Sequence, residues 1–195
     1  MRTGRPRTVS DEAIYDAVTA VVTDVGPSGL TLAAVADRVG LSAPALTQRF
    51  GSKRKLLLAY AEAAATGVDE LFARVRKSSP TAISALRSSL IEFTAGIDSR
   101  GAIANNLAFL HLDLTDPELG AHAARQSRLL RRAIARLVEE AIESRDIVAQ
   151  DAAELADTLY TVYNGALVGW AIDGRGSLSR WLSDRLDRVL ACHRP

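Results

Sequence analysis

The stretch Thr31–Lys55, TLAAVADRVGLSAPALTQRFGSKRK, constrains this chain more than any other. Leu32, Val35, Ala36 and Val39 recur at helical spacing and stop at Gly40, which predicts a short helix with Thr31 as its N-cap. Gly40 permits the positive φ of a tight turn, and Ala36, four residues earlier, is small enough to let a second helix approach. Leu41 fills the space after the turn. Ser42 caps the second helix, and Pro44 sits in its first turn, where a missing N–H costs nothing. Leu46 and Phe50 point inward, and Gly51 ends the helix. Two short helices around a tight turn make a helix-turn-helix, whose second helix enters the major groove of DNA.

The remaining residues of the second helix suit that role. Ser42, Ala43, Pro44, Ala45, Thr47, Gln48 and Arg49 are candidate DNA contacts. Small residues at the N-terminal end let the helix sit deep in the groove. Gln48 has the geometry for a bidentate contact with adenine, Ala43 or Thr47 for a thymine methyl, and Arg49 for guanine or phosphate. Ser52 caps a long helix predicted over about Lys53–Lys77. Lys53, Arg54 and Lys55 crowd its start, which opposes the helix dipole unless an anion lies there. A DNA phosphate meets that need, with Lys53 as its ligand; a solvated charge cluster is the bland alternative.

Before the motif, Ser10 caps a helix carrying Ile14, Ala17, Val18, Val21, Val22 and Val25 on one face, ended by Gly26-Pro27-Ser28-Gly29. Residues 1–8, MRTGRPRT, hold Gly4 and Pro6 and cannot build a core element. Arg5 and Arg7 fit an arm lying in the minor groove; a solvated tail is the alternative. The formal net charge is only +1, but it is uneven. Residues 1–60 carry eight Lys/Arg against five Asp/Glu (+3), and residues 61–195 carry sixteen against eighteen (−2). A basic front on a mildly acidic back agrees with a DNA-contacting head.

The run Leu32–Gly40, then Leu41-Ser42, then Phe50-Gly51-Ser52-Lys53 and Leu56 resembles the tetracycline-repressor (TetR) family of transcriptional regulators over about residues 10–57. In that family Tyr commonly stands at the position of Thr47 and His at that of Arg49. Thr31 and Lys53 match phosphate-contacting positions. The resemblance implies an all-α chain of about nine helices: a basic arm (1–8), a helix-turn-helix domain (9–55) and a helical ligand-binding and dimerisation domain (56–195). It also implies a homodimer through a four-helix bundle of the last two helices, about 151–192. A dimer suits a palindromic operator in double-stranded DNA.

The rest of the chain is helical by pattern. Segments are expected after Ser79-Pro80, over the irregular apolar stretch Gly101–Leu114, from Asp116-Pro117 to about Arg145, over Asp151–Asp173, and from Ser177 to about Cys192. The Arg row at 125, 128, 131, 132 and 136 is expected to be a solvated face with salt bridges. Gly165 and Gly169, four apart within a helix, suggest close helix packing. Phe93, Phe109, His111, Asp113, Tyr160, Tyr163, Asn164 and Trp170 are candidate ligand-binding residues, in the manner of a mostly apolar pocket with a few polar groups. At helical spacing the same residues also read as core. The resemblance favours a pocket, since family members commonly bind a small effector there.

An enzyme is not expected. His111, His122 and His193 have no metal-ligand spacing, and no GxSxG, phosphate loop or GxGxxG occurs. No metal or cofactor is expected. A single cysteine, Cys192, fits a reducing cytoplasm. The longest apolar run, Leu159–Ile172, is 14 residues and too short for a membrane span. The expected function is a dimeric DNA-binding regulator, a repressor released by a small molecule. A constitutive DNA-binding protein without a ligand, or a small helical enzyme, are the competing readings.

Overall fold

A computed structural model describes residues 9–173 and 175–194. The arm candidates Arg5 and Arg7 lie outside them. Among the described residues the chain is all helix, in nine segments: α1 (Asp11–Gly29), α2 (Leu32–Val39), α3 (Ala43–Phe50), α4 (Lys53–Ser78), α5 (Ala82–Glu92), α6 (Arg100–Thr115), α7 (Pro117–Glu143), α8 (Ala152–Asp173) and α9 (Leu178–Ala191).

The caps are the ones the side chains dictate. Ser10, Thr31, Ser42, Ser52, Ser99 and Ser177 each accept a bond from the backbone N–H three residues on, and Asp116 accepts from Glu118 and Leu119. Each such cap stabilises its helix by ~1 kcal/mol. One boundary differs from the sequence reading. Ser79-Pro80 does not start α5, because Ser79 closes α4. Thr81 caps α5 instead, in a reciprocal pair: its hydroxyl accepts from Ser84 N–H, and the Ser84 hydroxyl accepts from Thr81 N–H.

α1 ends within Gly26-Pro27-Ser28-Gly29, as the sequence predicts, and does so through a kink. The chain leaves helical geometry at Gly26 (φ 73°, ψ 172°), then takes one more turn through Gly29. Pro27 has no N–H to give the Thr23 carbonyl, four residues earlier. Asn105 of α6 supplies the missing donor: its Nδ2 lies 2.8 Å from Thr23 O. A helix of the body thereby completes a helix of the head.

Two apolar cores result. The first gathers Ile14, Val18, Val21 and Val22 of α1, Val35 and Ala36 of α2, Leu46 of α3, Leu56 and Leu57 of α4, and Leu119 of α7. The second, larger one joins α4, α5, α7, α8 and α9 through Phe72, Leu86, Leu90, Ile134, Leu159, Leu182 and Leu186. Fully buried side chains such as Leu86 and Ile134 each contribute about 1.5–3 kcal/mol. α4 and α7 each contribute to both cores and so join them. No helix among the described residues is long and apolar enough to cross a membrane.

Candidate nucleic-acid interface and an adjoining cavity

The α2–α3 turn forms as its residues require. Gly40 is left-handed (φ 69°, ψ 29°), and the N–H groups of Gly40 and Leu41 both reach Ala36 O. Leu46 is fully buried against α1 and α2, which fixes the rotation of α3. Ser42, Pro44, Thr47, Gln48 and Arg49 are then exposed on α3, with Ala43 and Ala45 half-buried beside them. Thr31 is exposed at the start of α2, and Lys53 is half-buried at the start of α4.

Bonding sorts these residues further. The Ser42 and Thr31 hydroxyls cap their helices. The Thr47 hydroxyl donates to Ala43 O at 3.0 Å, so its proton is already used, whereas a phosphate needs a donor. Arg49 is tied to the start of α1: Nη1 donates to Val9 O at 2.7 Å, and Nη2 pairs with Asp11 Oδ1 at 2.6 Å. Its guanidinium is therefore engaged within the protein rather than held out towards a base. Gln48 is the exposed long polar side chain of α3 with a full donor and acceptor set.

The basic cluster at the start of α4 divides in the same way. Lys53 Nζ donates to Pro27 O at 2.8 Å, which leaves two of its three protons. Arg54 does not belong to this surface. It forms bidentate bonds of 3.0–3.2 Å to Asp116 and a further pair with Glu118, both at the start of α7. Bonds to Glu118 and Asp116 push the Arg54 pKa upward. Partial burial works the other way for Asp116, but bonds from Leu119 N–H, Arg54 and Glu118 N–H hold its carboxyl below the usual range. The anion that three crowded cations call for is thus supplied partly from inside the protein.

Of the α7 arginines, Arg131 pairs with Asp157 of α8 at 3.0 Å and Arg136 with Asp69 of α4. Arg125, Arg128 and Arg132 are exposed.

A cavity of about 440 Å³ opens between α1, α4, α6 and α7. Phe93, Phe109 and Asp113, three of the eight residues singled out from sequence, line it. The others lie elsewhere. Tyr163 and Trp170 are buried core residues, with Trp170 Nε1 bonded to Gly176 O. Tyr160 bonds Ser127 and lies under the Arg131 guanidinium, 4.4 Å from its ring centroid. Asn164 and His111 are exposed. Periodicity alone could not separate these positions, because on buried helices all faces are apolar. The sequence reading missed Tyr60, Gly67, Asn106, His122 and Gln126, which line the cavity from α4, α6 and α7. Gly67 carried the available signal: an unexplained glycine inside a long helix, where a Cβ would meet nothing within 4 Å.

Burial raises the Asp113 pKa to about 6. A group whose folded pKa exceeds its unfolded value favours the folded state when protonated. Its ionisation therefore removes stability as pH rises from about 4 through about 6. Asp113→Asn is expected to raise the melting temperature at pH 7.5 and leave it unchanged at pH 4. An equal shift at both pH values would assign the gain to packing.

A turn-linked pair of helices, with the second presented outward on a three-helix head and a larger helical body behind it, is the arrangement of helix-turn-helix transcriptional regulators. Residues 14–60 match the family model described as bacterial regulatory proteins, tetR family. That match covers the head, and along its whole length the chain has the fold of solved TetR-family regulators. A tetR-family regulator from Mesorhizobium loti superposes with a TM-score of 0.69 at 18% identity, covering 95% of this chain and 96% of that one. A TetR regulator from Haloarcula marismortui gives 0.72 at 15% identity, covering 94% and 97%. SmeT, the repressor of the Stenotrophomonas maltophilia multidrug efflux pump SmeDEF, gives 0.63 at 20% identity, covering 95% and 91%. None of the curated proteins matches the chain.

Proposed function

We propose that this protein is a homodimeric repressor that leaves a palindromic operator when a small molecule fills the cavity. The observation that carries this reading is the course of α4. Its first residue, Lys53, stands beside the end of α3, and further along it lines the cavity with Tyr60, Ala61, Ala64, Gly67 and Leu71. A ligand that prefers one position of α4 shifts the spacing of two heads and lowers operator affinity by its differential binding to the two states. Operator contact is assigned to the exposed face of α3, with Gln48 as base reader, and to Thr31 and Lys53 at phosphates. Arg49 contributes by bracing α3 against α1.

Dimerisation through α8 and α9 is supported by the outer face of α8. There Thr158, Thr161, Gly165, Val168 and Ile172 recur at helical spacing and are exposed, Ile172 to 71% and Val168 to 41%. A Cβ at Gly165 would meet nothing within 4 Å in one chain, whereas one at Gly169 would meet Trp181 at 3.6 Å. Gly169 thus faces Trp181 of its own subunit, and Gly165 leaves room for a partner.

The test is a gel-shift titration on DNA from upstream of the protein's own coding region, at several salt concentrations, against random DNA. Two subunits bound per palindrome, well above the random control, is the expected result. Gly67→Leu fills the cavity and removes a helix-interior glycine, which stabilises α4 by about 1 kcal/mol. This variant should bind the operator normally and resist release by whatever small molecule releases the wild type. Release equal to wild type would place the effector elsewhere. Binding that tracks salt but not sequence would favour a constitutive architectural protein.

A further inference from the structure

The walls of the cavity specify a chemical class. Asp113 stands in the last turn of α6, where the helix dipole disfavours an anion. It is half-buried, and among the described residues it forms no ion pair. Its backbone is fixed: a Cβ on Gly120 would lie 2.7 Å from Asp113 O, so α6 and α7 touch closely there. The carboxylate is thus held at a place where its charge is opposed by burial and by its own helix, with no internal cation to offset either.

The other groups facing the cavity carry no fixed positive charge. From α1 come Thr19, Val22 and Thr23; from α4, Tyr60 and Gly67; from α7, His122 and Gln126. No Lys or Arg lines it. Aromatic rings do: Tyr60 and Phe109 meet edge to face with centroids 5.9 Å apart, and Phe93 closes the loop side. The Tyr60 hydroxyl bonds Thr19 at 3.2 Å. An unpaired carboxylate among aromatic side chains is the combination that attracts an organic cation, by direct charge pairing and by cation–π contact. An anionic ligand meets repulsion from Asp113 and gains no counter-charge.

We infer that the cavity takes an organic monocation, a protonated amine or quaternary centre on an apolar body, with its charge against Asp113 and its body against Tyr60, Phe93 and Phe109. This inference rests on the reading of the cavity as the effector site. A volume of about 440 Å³ suits a ligand of drug size. Binding strengthens as Asp113 ionises and weakens as pH falls towards 5. His122 also faces the cavity, so Asp113→Asn is needed to assign the pH dependence to Asp113.

The experiment uses the full-length protein and three fluorescence or calorimetric probes: tetraphenylphosphonium, its anionic isostere tetraphenylborate, and neutral Nile red. At pH 8 the phosphonium is expected to bind and to displace Nile red, with tetraphenylborate at least tenfold weaker. Asp113→Asn is near-isosteric and should keep its helical circular dichroism. It should lose at least tenfold in phosphonium affinity while retaining Nile red, and its phosphonium affinity should fall less than the wild type's between pH 8 and pH 5. Equal phosphonium affinity in the wild type and Asp113→Asn overturns the inference, as does preference for tetraphenylborate. Nile red bound in the wild type but not in Gly67→Leu, with no displacement by phosphonium, overturns the cation class and leaves the effector cavity standing. Absence of binding by all three probes overturns both.

Discussion

Gly26→Val is expected to lower stability by about 2–4 kcal/mol, read as a lower urea midpoint at an unchanged denaturant slope. Two effects add. The backbone at Gly26 (φ 73°, ψ 172°) lies in a region that is essentially glycine-only, and other residues there cost about 1–3 kcal/mol. A Cβ would also lie 2.9 Å from Asn105 Oδ1. That contact would push the amide off the Thr23 carbonyl, whose hydrogen bond is worth about 1 kcal/mol. Asn105→Ala alone should therefore cost about 1–3 kcal/mol, because it leaves Thr23 O without a donor. The double variant should cost less than the sum, since both changes break the same bond. Strict additivity would show that Gly26 and Asn105 act independently. The consequence for function is local. Pro27 O also receives the Lys53 ammonium, so a displaced α1 terminus moves the cation assigned to the operator backbone.

Lys53→Ala should lower operator affinity about a hundredfold for a dimer, at roughly tenfold for each lost charge-assisted contact. Its signature is a salt slope reduced by about one per protomer, with the ratio of operator to random-DNA affinity nearly preserved. Arg54→Ala is the matched control. It removes the same formal charge one residue away, but that charge is neutralised by Asp116 and Glu118. Its salt slope should stay near wild type. A Lys53→Ala slope equal to wild type, or an Arg54→Ala slope reduced as much, would move the phosphate contact to Arg54. Gln48→Ala should behave differently from both, losing specificity at one base pair with little change in slope.

These predictions separate residues that look equivalent in sequence. Lys53, Arg54 and Lys55 read as one basic cluster, and a cluster of that kind predicts an anion without saying which. The tertiary fold brings the start of α7 against Arg54 and leaves Lys53 beside α3. Arg49 likewise reads as a base or phosphate contact from its position on the second helix of the motif. Val9 O and Asp11 reach it only because the fold brings the start of α1 beside α3, some forty residues away along the chain.

What the sequence determined by itself is local. The caps at Ser10, Thr31, Ser42, Ser52 and Asp116, the left-handed turn at Gly40 and the inward set Val35, Ala36 and Leu46 depend on neighbours within a few residues, so periodicity and cap chemistry suffice to place the helix-turn-helix. The cavity was decided by tertiary structure alone. Phe93, Phe109 and Asp113 came from the same reading as Tyr163 and Trp170, yet three face the cavity and two are sealed in the core. In a body of helices packed on several sides, the low amphipathic contrast of α6 and α8 leaves the rotation of each helix unspecified. It is set by contacts between distant segments: Gly120 against Asp113 O, Asn105 on Thr23, Trp181 beside Gly169.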